Sequence, residues 1–201
     1  IIEWLVDNDV QNQPQKRQYG IVAMVDGSPQ SAAFTGTATD DYKNHITGPN
    51  YSMQGNILLG QIVLDSMEYN FLNTEGDLAC KLMAALQGAK MVGADSRCFS
   101  NGTSSLFSFV KVAQPDDTFG NPSFVLSVRT HNNAGIEPID SLQTLFNEVH
   151  ECGTVDIQNS NTFNSNFSIF PNPAKNILNI ENKTNNAYNF EIQDISGKLI
   201  S

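Results

Sequence analysis

The stretch YSMQGNILLG, residues 51–60, decides the fold of the chain up to residue 150. We predict that it begins as a loop, tightens at Gly55 and leads into the first long amphipathic helix. Gly55 and Gly60 supply backbone freedom that residues with a Cβ lack, and Asn56 between them is a candidate helix cap or left-handed residue. The apolar side chains that follow have the spacing of one helical face: Leu59, Ile62, Val63, Met67 and Phe71.

This junction has two interpretations. A helix that begins beside the turn at Gly55 and Asn56 points free backbone N–H groups outward, and such an end can hold a carboxylate or an oxyanion. The alternative is that the glycines only allow a strand and a helix to pack closely.

Composition excludes several classes of partner. The chain has 201 residues, with 11 Lys and Arg against 21 Asp and Glu, which gives a formal net charge of -10. This charge repels phosphate backbones and anionic lipids, so we expect neither nucleic-acid nor membrane-surface binding. We also expect no transmembrane segment, because no apolar stretch approaches the roughly 18 residues that a span needs. The acidic start at residues 1–5 differs from a secretory leader, and we interpret the sequence as a segment whose true start is missing.

Around this junction the pattern predicts an α+β domain in the order ββ, αα, ββ, α, with strands grouped apart from helices. The predicted elements are strands at 19–25 and 30–35, a long loop at 36–50, helices at 59–72 and from Asp77, a loop at 93–102, strands at 104–113 and 123–130, and a helix from Pro138. The last helix carries Ile139, Leu142, Leu145, Phe146 and Val149 on one side. A histidine follows them at its end, and we interpret His150 as structural.

Two loops carry candidate functional residues. His45 is a candidate for a direct role because histidine titrates near neutral pH, but with no second histidine nearby we expect no metal site. Asp95 and Arg97 lie two apart in the glycine-rich loop 93–102. They could bind a polar substrate, or they could simply bridge to each other, since the planar fork of Arg serves both. No pattern calls for a cofactor.

The three cysteines match no zinc or redox motif. Cys80 falls within a helical apolar pattern and is predicted to be a small buried hydrophobe. Cys98 and Cys152 lie in polar, loop-like surroundings. In an oxidising compartment they could pair with each other, or either could pair with a cysteine outside this sequence.

The composition changes after Cys152. Residues 153–166 are rich in asparagine and poor in apolar side chains, which predicts a linker. Residues 167–170, 177–180 and 190–195 alternate like strands, with turns at Pro171, Asn172 and Pro173 and at Ser196 and Gly197. We therefore divide the chain into a domain at 1–152, a linker at 153–166 and a small partial β-sandwich at 167–201.

Several motifs of the first domain resemble, in the right order, the bacterial domain of unknown function 1028: RQYGIV (17–22), AAFTG (32–36), HITGPNYSMQGNILLG (45–60) and GADSRC (93–98). The resemblance implies the four-layer αββα sandwich of N-terminal nucleophile hydrolases, here incomplete, and hydrolysis of an amide bond. It places the nucleophile outside this segment, because Ile1 has no nucleophilic side chain. On this basis Asn56 is a candidate for transition-state hydrogen bonding, with Gly55, Asp95 and Arg97 as candidate substrate-binding residues.

The tail resembles a second family. FSIFPNPAKNILNI (167–180) and FEIQDISGKLIS (190–201) are similar to the opening half of a type IX secretion C-terminal sorting domain, with the sorting motif at Pro171, Asn172 and Pro173. This resemblance implies contact with the type IX secretion machinery and a secreted or cell-surface location.

Two functions remain open at this point. The first is a secreted hydrolase-like protein that cleaves a small amide or peptide. The second is a non-catalytic surface binding or assembly protein that retains the fold, because one fold hosts many functions. A Thr, Ser or Cys at the mature N-terminus would favour the enzyme.

Overall fold

The computed structural model describes residues 1–153, 167–170 and 179–183. By its internal contacts the chain divides into two units, Ile1–Val155 and Asp156–Ser201. The first unit is a mixture of α and β structure built on small antiparallel sheets. Its elements are α1 (Ile2–Asp7), a 3₁₀ turn (Pro14–Lys16), β1 (Gln18–Val25), β2 (Ser28–Thr35), β3 (Asn44–Gly48), β4 (Tyr51–Gly55), α2 (Gln61–Asn73), α3 (Leu78–Gly88), a second 3₁₀ turn (Ser96–Asn101), β5 (Phe107–Val112), β6 (Phe124–Arg129) and α4 (Pro138–Val149).

Strands β1 and β2 form the first predicted hairpin, in a register that pairs Val25 with Ser28. The turn contains only Asp26 and Gly27, both with positive φ, rather than the four residues expected from the sequence. An Asp-Gly pair suits this tight connection, because both central residues of a type I′ turn need positive φ.

The predicted loop at 36–50 is partly wrong, because residues 44–48 form β3. This strand pairs with β4 from Asn44 opposite Gly55 to Gly48 opposite Tyr51, so the stretch before Gly55 is also a strand. Side chains of the first hairpin hold the second one. Gln18 donates its amide to the carbonyl oxygens of Asn44 (3.2 Å) and Gly55 (3.0 Å), and Ser31 donates to the carbonyl oxygen of Gly48.

Helix α2 begins at Gln61, two residues after the start at residue 59 that the sequence predicted. Gly60 is its N-cap and offers no side-chain bond, so Asn56 lies outside the helix and does not cap it. The buried face also differs from the predicted one. Val63, Leu64 and Phe71 are buried, whereas Leu59 and Ile62 are about half exposed, because α2 turns its Val63–Leu64 side toward the sheet and α3.

Helices α2 and α3 pack as an antiparallel pair. Asn70 of α2 donates to the carbonyl oxygen of Ala84 at 3.1 Å, and a Cβ on Gly88 would meet the backbone of Ser66. Glycine at this position therefore lets the two backbones approach closely. The helix predicted from Asp77 is capped by that residue, since its side chain accepts from the backbone N–H of Cys80 at 3.0 Å.

The main core lies between α4, α3 and one face of the β5–β6 hairpin. Leu142 and Phe146 of α4 are completely buried there, and Met83 of α3 is 1% exposed. Two members of the predicted α4 face lie at its margin, because Leu145 is 39% and Val149 63% exposed. His150 ends the helix, packs on Phe146 and Phe124 and contacts Asp77 at 3.1 Å, which agrees with a structural role.

The cysteine pairing differs from both options that the sequence left open. Cys80 is buried, as predicted, but it is disulfide-bonded to Cys152 with a Cα–Cα distance of 5.7 Å. The packing of α3 against α4 explains this pair, because Cys80 lies in the first turn of α3 and Cys152 follows the end of α4. Cys98 is free and buried rather than exposed in a polar loop.

In the second unit, β7 (Phe167–Phe170) pairs antiparallel with β8 (Asn179–Asn182). Strand β7 has the bounds of the predicted strand at 167–170, and β8 overlaps the predicted strand at 177–180 in residues 179 and 180. The predicted strand at 190–195 and the sorting motif at Pro171, Asn172 and Pro173 lie outside the described residues. Within the described ranges, no helix is long and apolar enough to cross a membrane.

Candidate functional site

Two adjoining cavities, each of about 470 Å³, open beside the start of β5. Both are lined by Leu106, Phe107 and Asn132, so they lie side by side, and we call the two together the β5 groove. One half is completed by Asp95, Arg97, Cys98 and Ser105, and the other half by Arg129, Thr130 and His131. The groove thus combines two guanidinium groups, a carboxylate, an imidazole and an aromatic wall.

Asp95 and Arg97 form a bidentate ion pair at one end of the groove. The Arg97 Nε and Nη2 atoms donate to the two Asp95 oxygens at 2.9 and 2.6 Å. The hydrogen bond from Arg97 is the main reason that the pKa of Asp95 is lowered, and the same bond raises the pKa of Arg97. The two residues therefore bridge to each other, and the Arg97 side chain remains 70% exposed toward the groove.

The loop that carries Asp95 and Arg97 is fixed by hydrogen bonds to Ser104 and, through it, to Glu137. The backbone N–H of Asp95 donates to the carbonyl oxygen of Ser104 at 2.8 Å. Ser104 in turn donates its own N–H and hydroxyl to the two carboxylate oxygens of Glu137 at 2.7 and 2.6 Å. Glu137 also caps α4 by accepting from the N–H of Ile139. One side chain thus fixes the start of α4 and, through Ser104, the floor of the groove.

The segment after β4 runs alongside the Asp95 loop. Leu58 forms an isolated β-bridge with Asp95, and the N–H of Ser96 donates to the carbonyl oxygen of Ile57 at 2.9 Å. The N–H of Ile57 donates to the carbonyl oxygen of Asp40 at 3.2 Å. Ile57 has a φ of 59°, which is strained for a β-branched residue and is found mostly at functional or tightly bonded positions.

Most of the remaining sequence candidates lie outside the groove lining. Asn56 is exposed and lies two residues before the bridge at Leu58, so it neighbours the Asp95 loop without lining either cavity. The carbonyl oxygen of Gly55 accepts from Gln18, and a Cβ at Gly55 would crowd the Leu58 side chain at 2.8 Å. These contacts give Gly55 a packing role.

His45 lies on β3 and is half-buried. Its Nδ1 atom is 2.9 Å from the hydroxyl of Thr35, which also accepts from Gln18. The structure therefore places His45 in the contact between the two N-terminal hairpins and does not bring it to the groove.

Cys98 lines the groove but is poorly suited to act as a nucleophile. Burial is the main cause that raises the pKa of its thiol, and the carboxylate of Asp95 raises it further. The thiolate is the reactive form, so a raised pKa reduces reactivity.

The far wall of the groove was not anticipated from the sequence. Phe107 of β5 pairs with Arg129 of β6 and is 52% exposed, on the face opposite the helices. The sequence does carry a signal for this wall, because Phe107 and Phe109 alternate with Ser108 and Val110 along β5. This alternation leaves both phenylalanines on one face, but only the topology brings that face beside Asp95.

One group in the described ranges has side chains suited to a metal: Asp77, Cys80 and His150, whose ligand atoms lie within 4.8 Å of one another. Its sulfur is bonded to Cys152. A disulfide sulfur is not the thiolate that metals require, so this group does not fit a metal in the oxidised protein.

The fold and the groove define a mixed α and β protein in which helices cover one side of small antiparallel hairpins and a polar groove opens beside them. Residues 1–134 match the family described as "Family of unknown function (DUF1028)", and the chain belongs to this family. Residues 168–201 match the secretion system C-terminal sorting domain. Both resemblances found in the sequence are therefore confirmed. No curated protein matches the chain.

The crystal structure of protein SPO2555 from Silicibacter pomeroyi, described with the same DUF1028 family model, has a similar fold. The TM-score is 0.53 and the sequence identity 24%, over 73% of this chain and 57% of that one. The present chain thus spans little more than half the length of this structure.

The sorting domain has two direct consequences. It implies interaction with the type IX secretion machinery, and it points to a secreted or cell-surface protein.

Proposed function

We propose that this is a secreted or cell-surface protein that binds a small amide or peptide in the β5 groove. The observation that carries the proposal is that one cavity is lined by the exposed Arg97 of the family-like GADSRC motif, by the aromatic ring of Phe107 and by the amide of Asn132. Peptides offer both carbonyl acceptors and apolar side chains, so this combination of guanidinium, amide and aromatic ring suits them.

Hydrolysis of the bound amide is the first candidate activity. It is supported by the resemblance to N-terminal nucleophile hydrolases. Asn56 is then the candidate for transition-state hydrogen bonding, since its exposed amide neighbours the Asp95 loop. Asp95 holds Arg97 in place, and Arg97 contacts the substrate.

Non-catalytic binding is the second candidate activity. The groove, the ion pair and the sorting domain serve this function equally well, and Cys98 with its raised pKa is not an activated thiol. Fold alone does not decide between the two activities.

For the architecture we propose the domain at 1–152, the linker at 153–166, a partial β-sandwich at 167–201 and an incomplete four-layer αββα sandwich. The β5–β6 hairpin supports the proposal of an αββα sandwich. Helices α3 and α4 cover one of its faces, and the other face exposes Phe109 and Val125 by about half, as expected of a sheet that packs on a second sheet beyond the groove.

The binding proposal is tested with the full chain and a panel of dipeptides and small amides, by ligand-observed NMR for binding and mass spectrometry for cleavage. We expect binding that Arg97→Ala weakens about tenfold. Lys111→Ala serves as the matched control, because Lys111 is an exposed cation on the same hairpin that does not line the groove. Failure of every peptide and amide to bind would contradict the proposal.

The two candidate activities are separated by the secreted protein from its native host. Its N-terminus is sequenced, and its turnover of the amides that bind is measured. A terminal Thr, Ser or Cys together with turnover supports hydrolysis, whereas binding without turnover from any other N-terminus supports the non-catalytic function.

A further inference from the structure

The far end of the β5 groove carries a cation with no partner. Within the described ranges, the guanidinium groups of Arg17 and Arg97 are both paired with carboxylates, while the guanidinium of Arg129 makes no hydrogen bond or ion pair. Arg129 is the last residue of β6, and its register partner is Phe107. Directly opposite residues of an antiparallel pair project to the same face, so the side chains of Arg129 and Phe107 line the same half of the groove.

The two ends of the groove differ in charge. At the near end the guanidinium of Arg97 is neutralised by Asp95, and it also feels the negative charge of Asp40. At the far end Arg129 is accompanied by His131, and no acidic residue lines that half of the groove. In a chain whose net charge is -10, this half is therefore a local site of positive charge.

We propose that this half of the groove binds the free C-terminal carboxylate of a short peptide. The fork of Arg129 suits a carboxylate because it can donate two parallel N–H bonds to the two oxygens. Leu106 and Phe107 form an apolar wall beside it, and they accommodate the side chain of the terminal residue. The ligand then runs past Asn132 toward the Asp95–Arg97 pair. This inference rests on the proposed function and assigns its substrate class.

The test compares a free peptide acid with its amide. The binding of Ala-Phe and of Ala-Phe amide to the full chain is measured by calorimetry at neutral pH. We expect the wild type to bind the acid at least about tenfold more tightly than the amide, because amidation removes the charge and one acceptor oxygen. In Arg129→Gln the two affinities are expected to become equal, and in Lys111→Gln the tenfold preference is expected to remain.

The ratio of the two affinities within one variant is the decisive quantity, because a partly unfolded sample lowers both affinities together. Equal binding of acid and amide by the wild type would overturn the carboxylate assignment and leave the peptide-binding proposal standing. Failure of both ligands to bind would overturn the carboxylate assignment, whereas the peptide-binding proposal falls only if the whole panel of peptides and amides also fails to bind. Displacement of Ala-Phe by inorganic phosphate at equal concentration would show a general anion site and would also overturn the peptide assignment.

Discussion

At the scale of single residues, Asp9 organises the segment between α1 and β1. One of its oxygens accepts from the backbone N–H groups of Gln11 and Gln13 at 3.0 and 2.9 Å, and the other accepts from Arg17 Nε at 2.8 Å. The side chain is only 3% exposed. The bond from Arg17 is the main cause that lowers the pKa of Asp9 to about 2.

This pKa predicts how stability depends on pH. Because the pKa in the folded state lies below the unfolded value of 3.8, the carboxylate stabilises the fold at pH above about 4, and the contribution is lost as the pH falls toward 2. We expect Asp9→Asn to lower the urea midpoint at pH 7 and the difference from wild type to shrink between pH 4 and pH 2. Asp7→Asn, an exposed change on α1, should leave the midpoint unchanged. A deficit of Asp9→Asn that is constant over this pH range would contradict the assignment.

Asp95 and Arg97 show what a residue pattern can and cannot decide. Two oppositely charged side chains two residues apart were compatible with substrate binding and with mutual bridging. The structure shows the bridge. An exposed ion pair contributes little to stability, so the geometry of the loop does not depend on this pair alone. Backbone bonds from Asp95 to Ser104 and from Ser96 to Ile57 also hold the loop, and no local pattern reveals them.

At the scale of elements, α4 has two leucines that the sequence placed on the same face and that the structure separates. Leu142 is fully buried and Leu145 is 39% exposed. We expect Leu142→Ala to lower the free energy of unfolding by about 2–5 kcal/mol, because it leaves a cavity in the core. Leu145→Ala, the same chemical change, should cost less than about 1 kcal/mol. Chemical denaturation measures both, and equal losses would contradict the core as described.

The disulfide is the second prediction at this scale. Cys80 and Cys152 are 72 residues apart, so their bond restricts a long loop in the unfolded chain. We expect the double change Cys80→Ala and Cys152→Ala to lower the free energy of unfolding by about 2–4 kcal/mol. Cys98→Ala is the control that leaves the disulfide intact.

Thiol counting checks the same pairing. Alkylation after denaturation without a reductant should label one cysteine, Cys98, as seen by intact and peptide mass. Three labelled cysteines, or a label on Cys152, would show that the pair is absent.

Sequence patterns predicted the elements with strong local signals. The hairpins of β1–β2 and β5–β6, the paired helices α2 and α3, and α4 all follow from periodicity and caps. The β3–β4 hairpin was missed because residues 44–48, NHITG, lack a run of β-branched or aromatic side chains. Long-range bonds from Gln18 and Ser31 hold this strand in place, and such bonds leave no trace in the local sequence.

At the scale of the whole molecule, the β5 groove is assembled from three parts of the chain: residues 95–98, 105–107 and 129–132. Only the first part was singled out from the sequence. The other two could not be placed beside it without knowledge that β5 continues from the loop anchored by Glu137. The sequence signal for the wall of the groove was the alternation of Phe107 and Phe109 with smaller side chains, which leaves both rings on the exposed face of β5.

The family and the sorting domain were recognised from motifs of several residues in a fixed order, and both are confirmed. Recognition of such motifs does not require every strand to be predicted correctly. The family could therefore be recognised although one hairpin was missed and the disulfide pairing was predicted wrongly. The activity does not follow in the same way, because it depends on the site rather than on the fold.

The central claim is that the β5 groove is the ligand site. The most direct test is the change in backbone amide shifts of the isotope-labelled full chain during titration with Ala-Phe. We expect the largest changes in residues 95–98, 105–107 and 129–132. Saturable changes confined to other residues, such as those around His45 on β3, would contradict it, as would a spectrum that does not respond to the peptide.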